Sequence, residues 1–337
     1  MRIDLHTHLV PERWEDFASR YGGGRWPRLQ PRDGCRATIM TGESVFREID
    51  DRSWRPERRI EDMDQLGIDR QALSPPPVMF CYWAEPRAGL AFARLQNDNV
   101  AAIVARHPRR FLGMATVPLQ DTAVAIGELR RAREELGLRA VEIGTCPGGR
   151  DFDDPELYPF FAACRDLEVA VFVHPATPLV GQERLTRYYF PQIVGNPLET
   201  AVAVSKLIFG GVLERLPDLR ICFAHGGGAF PFTLGRLDHG WSVRPEGPAA
   251  IPRRPREYAR LLHFDSLTHG AANLRFLVAE YGADRVAMGS DYPFGMGSAD
   301  PVADVGRAGL DAGARELVEG GTAARFLGLI GAAVRDA

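Results

Sequence analysis

Two histidines one residue apart, His6 and His8 in RIDLHTHLV (2–10), form the first chemically loaded stretch of the sequence. In an extended segment alternate side chains share a face, so both imidazoles stand side by side toward one ligand. Further along, His174 lies in VAVFVHP (169–175), His225 precedes three glycines in RICFAHGGG (220–228), and Asp291 lies in VAMGSDYP (286–293). Imidazole nitrogen and carboxylate oxygen are ligands that zinc takes at about 2.0–2.2 Å, and a catalytic site leaves one position open for water. His6, His8, His174 and Asp291 meet that requirement. His225 reads as a fifth ligand or as a free base that takes a proton from water, and the second role is the expected one. Gly226, Gly227 and Gly228 behind it let backbone and ligand approach closely.

These residues need elements that bring them together. Short apolar segments at 2–8, 71–77, 111–119, 139–145, 169–175, 220–228, 261–267 and 286–293 alternate with amphipathic runs such as 89–107, 121–137, 154–168 and 199–216. Eight strand–helix alternations predict an α/β fold, the (β/α)8 TIM barrel, whose active site forms at the carboxyl ends of the strands. The histidines and the aspartate named above occupy such ends. DDPELYPFF is expected to open a helix with an acidic cap and Pro155 in the first turn. Residues 9–56 break the alternation and predict an insertion over the barrel mouth, with ATIM and SVF paired as a hairpin across TGE. Residues 1–337 otherwise read as a single domain.

Composition narrows the chemistry. The 337 residues are 45% hydrophobic and 25% charged with a formal net charge of -3, which leaves no basic footprint for nucleic acid. MRIDLH runs directly into a strand without a secretory pattern, and no uncharged apolar stretch approaches the roughly 18 residues of a membrane span. A reduced, cytoplasmic protein is expected. Cys35, Cys81, Cys146, Cys164 and Cys222 are odd in number and contain no CxxC pair, which argues against a disulfide framework. Lys206 is the only lysine and lies in a helical run. That placement argues against both a lysine bridge between two metals and Schiff-base chemistry, and leaves Glu142, in RAVEIGT, as the candidate support for a second metal. His107, His239 and His263 read as structural, and His269 as a solvated loop residue.

HTH, VHP, AHGGG and GSDYP, together with ATIMTGESVFR, PPVMF, VPLQD, EIGT, GQERL, LGRLD and MGSDYPF, run nearly end to end through the chain. In this set the sequence resembles the amidohydrolase superfamily, in the metal-dependent decarboxylase branch that includes the 2-amino-3-carboxymuconate 6-semialdehyde decarboxylase-like family. The resemblance implies one Zn2+ per subunit on His6, His8, His174 and Asp291, with His225 assisting the water; Mn, Fe or Co can share such ligands. It also implies that Arg47 and Arg236 clamp substrate carboxylates, Arg236 being delivered across a homodimer interface. A guanidinium suits that task because it forms a bidentate fork and keeps its charge. Phe294, with Tyr188 and Tyr189, is expected to pack on a planar substrate. The run 176–190 lacks the tryptophan expected directly beyond Pro175, and Cys81 and Tyr82 follow PVMF; these positions are expected to shape the pocket wall.

The activity implied is non-oxidative decarboxylation of a carboxymuconate semialdehyde or a close analogue, a small-molecule carboxylate. Decarboxylation of an ortho-hydroxy aromatic acid of the resorcylate type is the alternative, although a glutamate is expected there in place of His6. Hydrolysis of a lactone or amide would use the same metal without the arginine clamp. A vestigial, non-catalytic scaffold should have lost a ligand or the base, and none is missing.

Overall fold

The computed structural model describes residues 1–176 and 180–330, so Thr177, just beyond the position expected to carry tryptophan, lies outside the described residues. The strands are β1 (Ile3–His8), β2 (Pro27–Pro31), β3 (Arg36–Thr41), β4 (Ser44–Asp50), β5 (Arg70–Ser74), β6 (Phe111–Ala115), β7 (Ala140–Gly144), β8 (Ala170–His174), β9 (Ile221–Phe223), β10 (His263–Asp265) and β11 (Val286–Ala287). Neighbours pair in the order β1-β5-β6-β7-β8-β9-β10-β11, and the paired registers are parallel. The ring closes where Leu5 N donates to Met288 O at 2.8 Å and His8 N to Tyr292 O at 2.7 Å. This is the expected (β/α)8 barrel.

Strand alternation sorts the side chains. On β8, Val171 and Val173 face the helix layer, while Ala170, Phe172 and His174 face the barrel axis. The outer cluster joins Val171 and Val173 to helix residues such as Phe160 and Val204, all fully buried. On β1 a register shift between Asp4 and Thr7 interrupts the alternation, and His6 and His8 come together with their Nε2 atoms 3.2 Å apart.

Several boundaries differ from the sequence reading. The helix expected from Asp154 begins at Tyr158, because the Asp154 carboxylate accepts from Glu156 N at 2.8 Å and closes a local turn instead of capping. The run 199–216 divides into helices Asn196–Phe209 and Val212–Arg215, broken where Gly211 takes φ +69°. β9 and β11 stop at Phe223 and Ala287, so His225 and Asp291 sit on the loops just beyond them. β3 and β4 form the expected hairpin, and β2, absent from the sequence reading, adds a third antiparallel strand.

Candidate active site

The floor of the barrel mouth is a cluster of imidazoles. His6, His174, His225 and Asp291 each present an atom within 4.8 Å of the others. His8 joins them: its Nε2 lies 2.9 Å from Asp291 Oδ1 and 3.2 Å from His6 Nε2. His225 Nε2 stands 3.9 Å from Asp291 Oδ2, so the expected base lies as close to the common point as the expected ligands. Phe172 packs on His6 with ring centroids 5.0 Å apart and closes the floor from below.

The second nitrogen of two of these rings is committed elsewhere, which fixes how His6 and His174 are turned, whereas His8 Nδ1 is buried without a hydrogen-bond partner. His174 Nδ1 donates to Pro175 O at 2.8 Å; a carbonyl only accepts, so Nε2 of the neutral ring carries the lone pair. That Nε2 is buried without a hydrogen-bond partner. His6 Nδ1 donates to Asp265 Oδ2 at 2.6 Å, which aims its Nε2 at the cluster. Asp265 is fully buried at the end of β10, and its Oδ1 accepts from Gly226 N at 2.8 Å and Leu267 N at 3.1 Å. One carboxylate thus grips both His6 and the loop that carries His225. His225 and Asp291 hold φ +55° and +60°, sparsely populated values for side-chain-bearing residues that concentrate at functional sites. Gly228, at φ +60°, lies against the backbone of Pro197, where a Cβ would come within 2.8 Å of Pro197 Cα.

Electrostatics favour ligation. Burial pushes the Asp291 carboxyl up, but hydrogen bonds with His225 and His8 outweigh it and hold the group well below the usual carboxylate range. Burial, reinforced by the neighbouring imidazoles, holds His174 well below the ordinary histidine value and keeps it neutral. A neutral His174 and an ionised Asp291 are protonation states a divalent cation requires, whereas at His6 burial is outweighed by the Asp265 hydrogen bond and the Asp291 charge, which raise it above the ordinary histidine value. The buried His174 Nε2, left without a hydrogen-bond partner beside the Asp291 carboxylate, therefore fits such an ion. Glu142 approaches within 3.9 Å of His8 Nδ1, on the opposite edge of the ring from the common point. Burial lifts its carboxyl to about 8, which suits a neutral neighbour of His8 better than a bridging ligand.

Above the cluster opens a cavity of about 320 Å³. Arg47 enters it from β4, its guanidinium 4.4 Å over the Phe294 ring, and Phe294 stacks on His8 at 5.3 Å. Arg47 also donates to Tyr189 Oη at 3.3 Å. Arg236 is exposed on the helix Phe230–Val243 and does not line the cavity of its own chain. Three placements differ from the sequence reading. His269 is exposed but lines the cavity, because φ +52° turns it back toward the mouth. Cys81 and Tyr82 border a neighbouring cleft; Tyr82 Oη is occupied as acceptor from Gly144 N at 3.0 Å. Tyr188 and Tyr189 are 75% and 52% exposed, too open to sandwich a substrate. Asp265 and the fully buried Arg59, which donates to His8 O at 2.7 Å, were not singled out by sequence reasoning. Asp265 carried the same signal as the ligands, a polar residue at a strand's carboxyl end.

Residues 3–329 match the amidohydrolase family. The chain belongs to that family. A 2-amino-3-carboxymuconate-6-semialdehyde decarboxylase of Dictyostelium discoideum is 43% identical, covering 98% of this chain and 92% of its own. A gamma-resorcylate decarboxylase of Rhodococcus jostii is 31% identical over 87% of this chain and 88% of its own. The solved dihydroxybenzoic acid decarboxylase of Polaromonas, with bound manganese and an inhibitor, superposes at a TM-score of 0.79 and 23% identity, covering 98% of both chains. The resemblance to decarboxylating amidohydrolases read from the motifs is borne out. Among the described residues no helix is long and apolar enough to cross a membrane.

Proposed function

We propose that the chain is a metal-dependent, non-oxidative decarboxylase of 2-amino-3-carboxymuconate 6-semialdehyde or a closely related carboxylated substrate, acting as a cytoplasmic homodimer. The observation that carries this reading is the cluster of buried imidazole and carboxylate ligand atoms, His174 Nε2 among them without a partner, lying beneath an arginine-guarded cavity. His6, His8, His174 and Asp291 hold one divalent ion, which we take to be zinc. The ion supplies Lewis-acid activation of water and of a substrate oxygen.

The side chains do the rest. Arg47 holds one substrate carboxylate through its fork, and Phe294 lies against the conjugated plane. His225 would take a proton at Nε2 from water and deliver it to the substrate carbon as the bond to the carboxylate breaks and carbon dioxide leaves; a solvent proton returns the hydroxide to water, so one proton is consumed overall and no redox partner is needed. Arg236 of one protomer supplies the second clamp in its partner's cavity, which accounts for its exposure here. Arg47 and His6 favour this substrate class over a resorcylate-type acid.

The test is turnover read as loss of substrate absorbance. Chelation should abolish it and a divalent ion restore it. His225→Ala should retain the metal but lose most activity. Arg236→Ala, inactive alone, should regain partial turnover when mixed with Arg47→Ala; no rescue in verified mixed dimers removes the shared site, and metal-independent turnover removes the mechanism.

A further inference from the structure

His6 and His8 stand on a strand whose pairing is irregular. β1 shifts register against β5 between Asp4 and Thr7, so the backbone ladder alone does not fix where the two imidazoles come to rest. A chain of buried polar side chains runs behind that irregularity. Arg59, fully buried on the helix Pro56–Leu66, donates from Nη1 to His8 O at 2.7 Å and to Arg52 O at 3.1 Å, and from Nε to Gln71 Oε1 at 3.2 Å. Gln71 Nε2 donates to Asp4 Oδ2 at 3.4 Å, and Asp4 accepts from Ser290 and from His6 N at 3.3 Å. The Arg59 guanidinium also lies over the Tyr292 ring, 4.7 Å from its centre and one residue beyond Asp291.

Burying a guanidinium is costly unless its donors are used. What it offers is reach, a planar fork of donors that the point charge of an ammonium lacks. Here the fork takes carbonyls on β1 and in the turn Asp51–Ser53 and an amide oxygen on β5, and Nη2 alone has no hydrogen-bond partner. One group therefore touches the backbone of one ligand-bearing residue and the chain neighbour of another.

We propose that Arg59 is a positioning residue for the cation site: by gripping the His8 carbonyl and the Tyr292 ring together it sets the approach of His8 Nε2 to Asp291 Oδ1, which lie 2.9 Å apart. The inference rests on the single-cation part of the reading above, and its test needs no turnover. Zinc affinity is measured by competition with a chromogenic chelator, and the stability of the metal-free protein by urea denaturation. Arg59→Met should weaken zinc binding about 10–100-fold, the scale for loss of a partner that orients a ligand, and Arg59→Lys, which keeps the charge without the fork, by less. Tyr292→Leu, at a half-buried position, breaks the same grip from the other side and guards against a folding defect at Arg59. Because the two residues act through one contact, the double variant should lose less than the product of the single losses. The visible absorption of the cobalt-loaded protein, which reports coordination geometry, should change in Arg59→Met. Leu129→Ala, a core truncation in the outer helix layer, should lower stability with zinc affinity and cobalt absorption unchanged. Native zinc affinity in Arg59→Met or Tyr292→Leu, native cobalt absorption in Arg59→Met, independent losses in the double variant, or an equal loss of affinity in Leu129→Ala overturns the proposal. A native protein that binds no divalent ion removes the cation site itself, whereas native binding left unaltered by the variants removes only the role of Arg59.

Discussion

At the floor of the cavity, His6 and Asp265 are fully buried and joined at 2.6 Å; at its rim, Arg47 and Phe46 stand partly open to solvent on a sheet outside the barrel. The floor is set by strand alternation, with every ligand-bearing ring turned by a second hydrogen bond or by packing. The rim is set by a few side chains with little behind them. A change at the floor therefore disturbs several of the proposed ligands together, whereas a change at the rim removes one contact and leaves the proposed cation site intact.

Ways to break this contrast follow in order of effect. Asp291→Ala or His174→Ala should lower kcat/KM by at least about 10³-fold, beyond what loss of an outer partner does, and bound metal should fall in parallel by elemental analysis. Near-native metal content in either would remove them from the ligand set. Asp265→Asn leaves every ligand in place but weakens the orientation of His6 and of the Gly226 loop; metal affinity should drop about 10–100-fold in a competition titration. Arg47→Ala should raise KM about 10–100-fold, as for a charged hydrogen bond of roughly 1.5–3 kcal/mol, with metal content unchanged. Lost metal there would erase the distinction between floor and rim. Phe46→Ala, at a side chain 41% exposed, should shift unfolding free energy by no more than about 0.5 kcal/mol by urea denaturation.

The parts of this architecture visible in the sequence are those with a period. Two-residue alternation and the return of polar residues at strand ends exposed the barrel together with His6, His8, His174, His225 and Asp291. Asp265 shares that placement, but one carboxylate among 44 acidic residues stands out only once β10 is known to end there. Arg59 reaches His8 from the helix Pro56–Leu66, across a distance no local pattern encodes. Cys81 and Tyr82 were misplaced because motif spacing gives the strand they follow but not which side of its loop faces the substrate.

The bonds between β1 and the segment after β11 carry a consequence for how the protein is made. Asp4 accepts from Ser290 N at 3.0 Å and from its hydroxyl at 2.6 Å, tying residues 286 positions apart beside the cation site. Since chains emerge from the ribosome amino end first, His6 and His8 are synthesised before the intervening strands and wait for them before Asp291 arrives. No nascent chain that stops short of Asp291 can assemble the proposed donor set, so the complete cluster forms only after β11 has emerged.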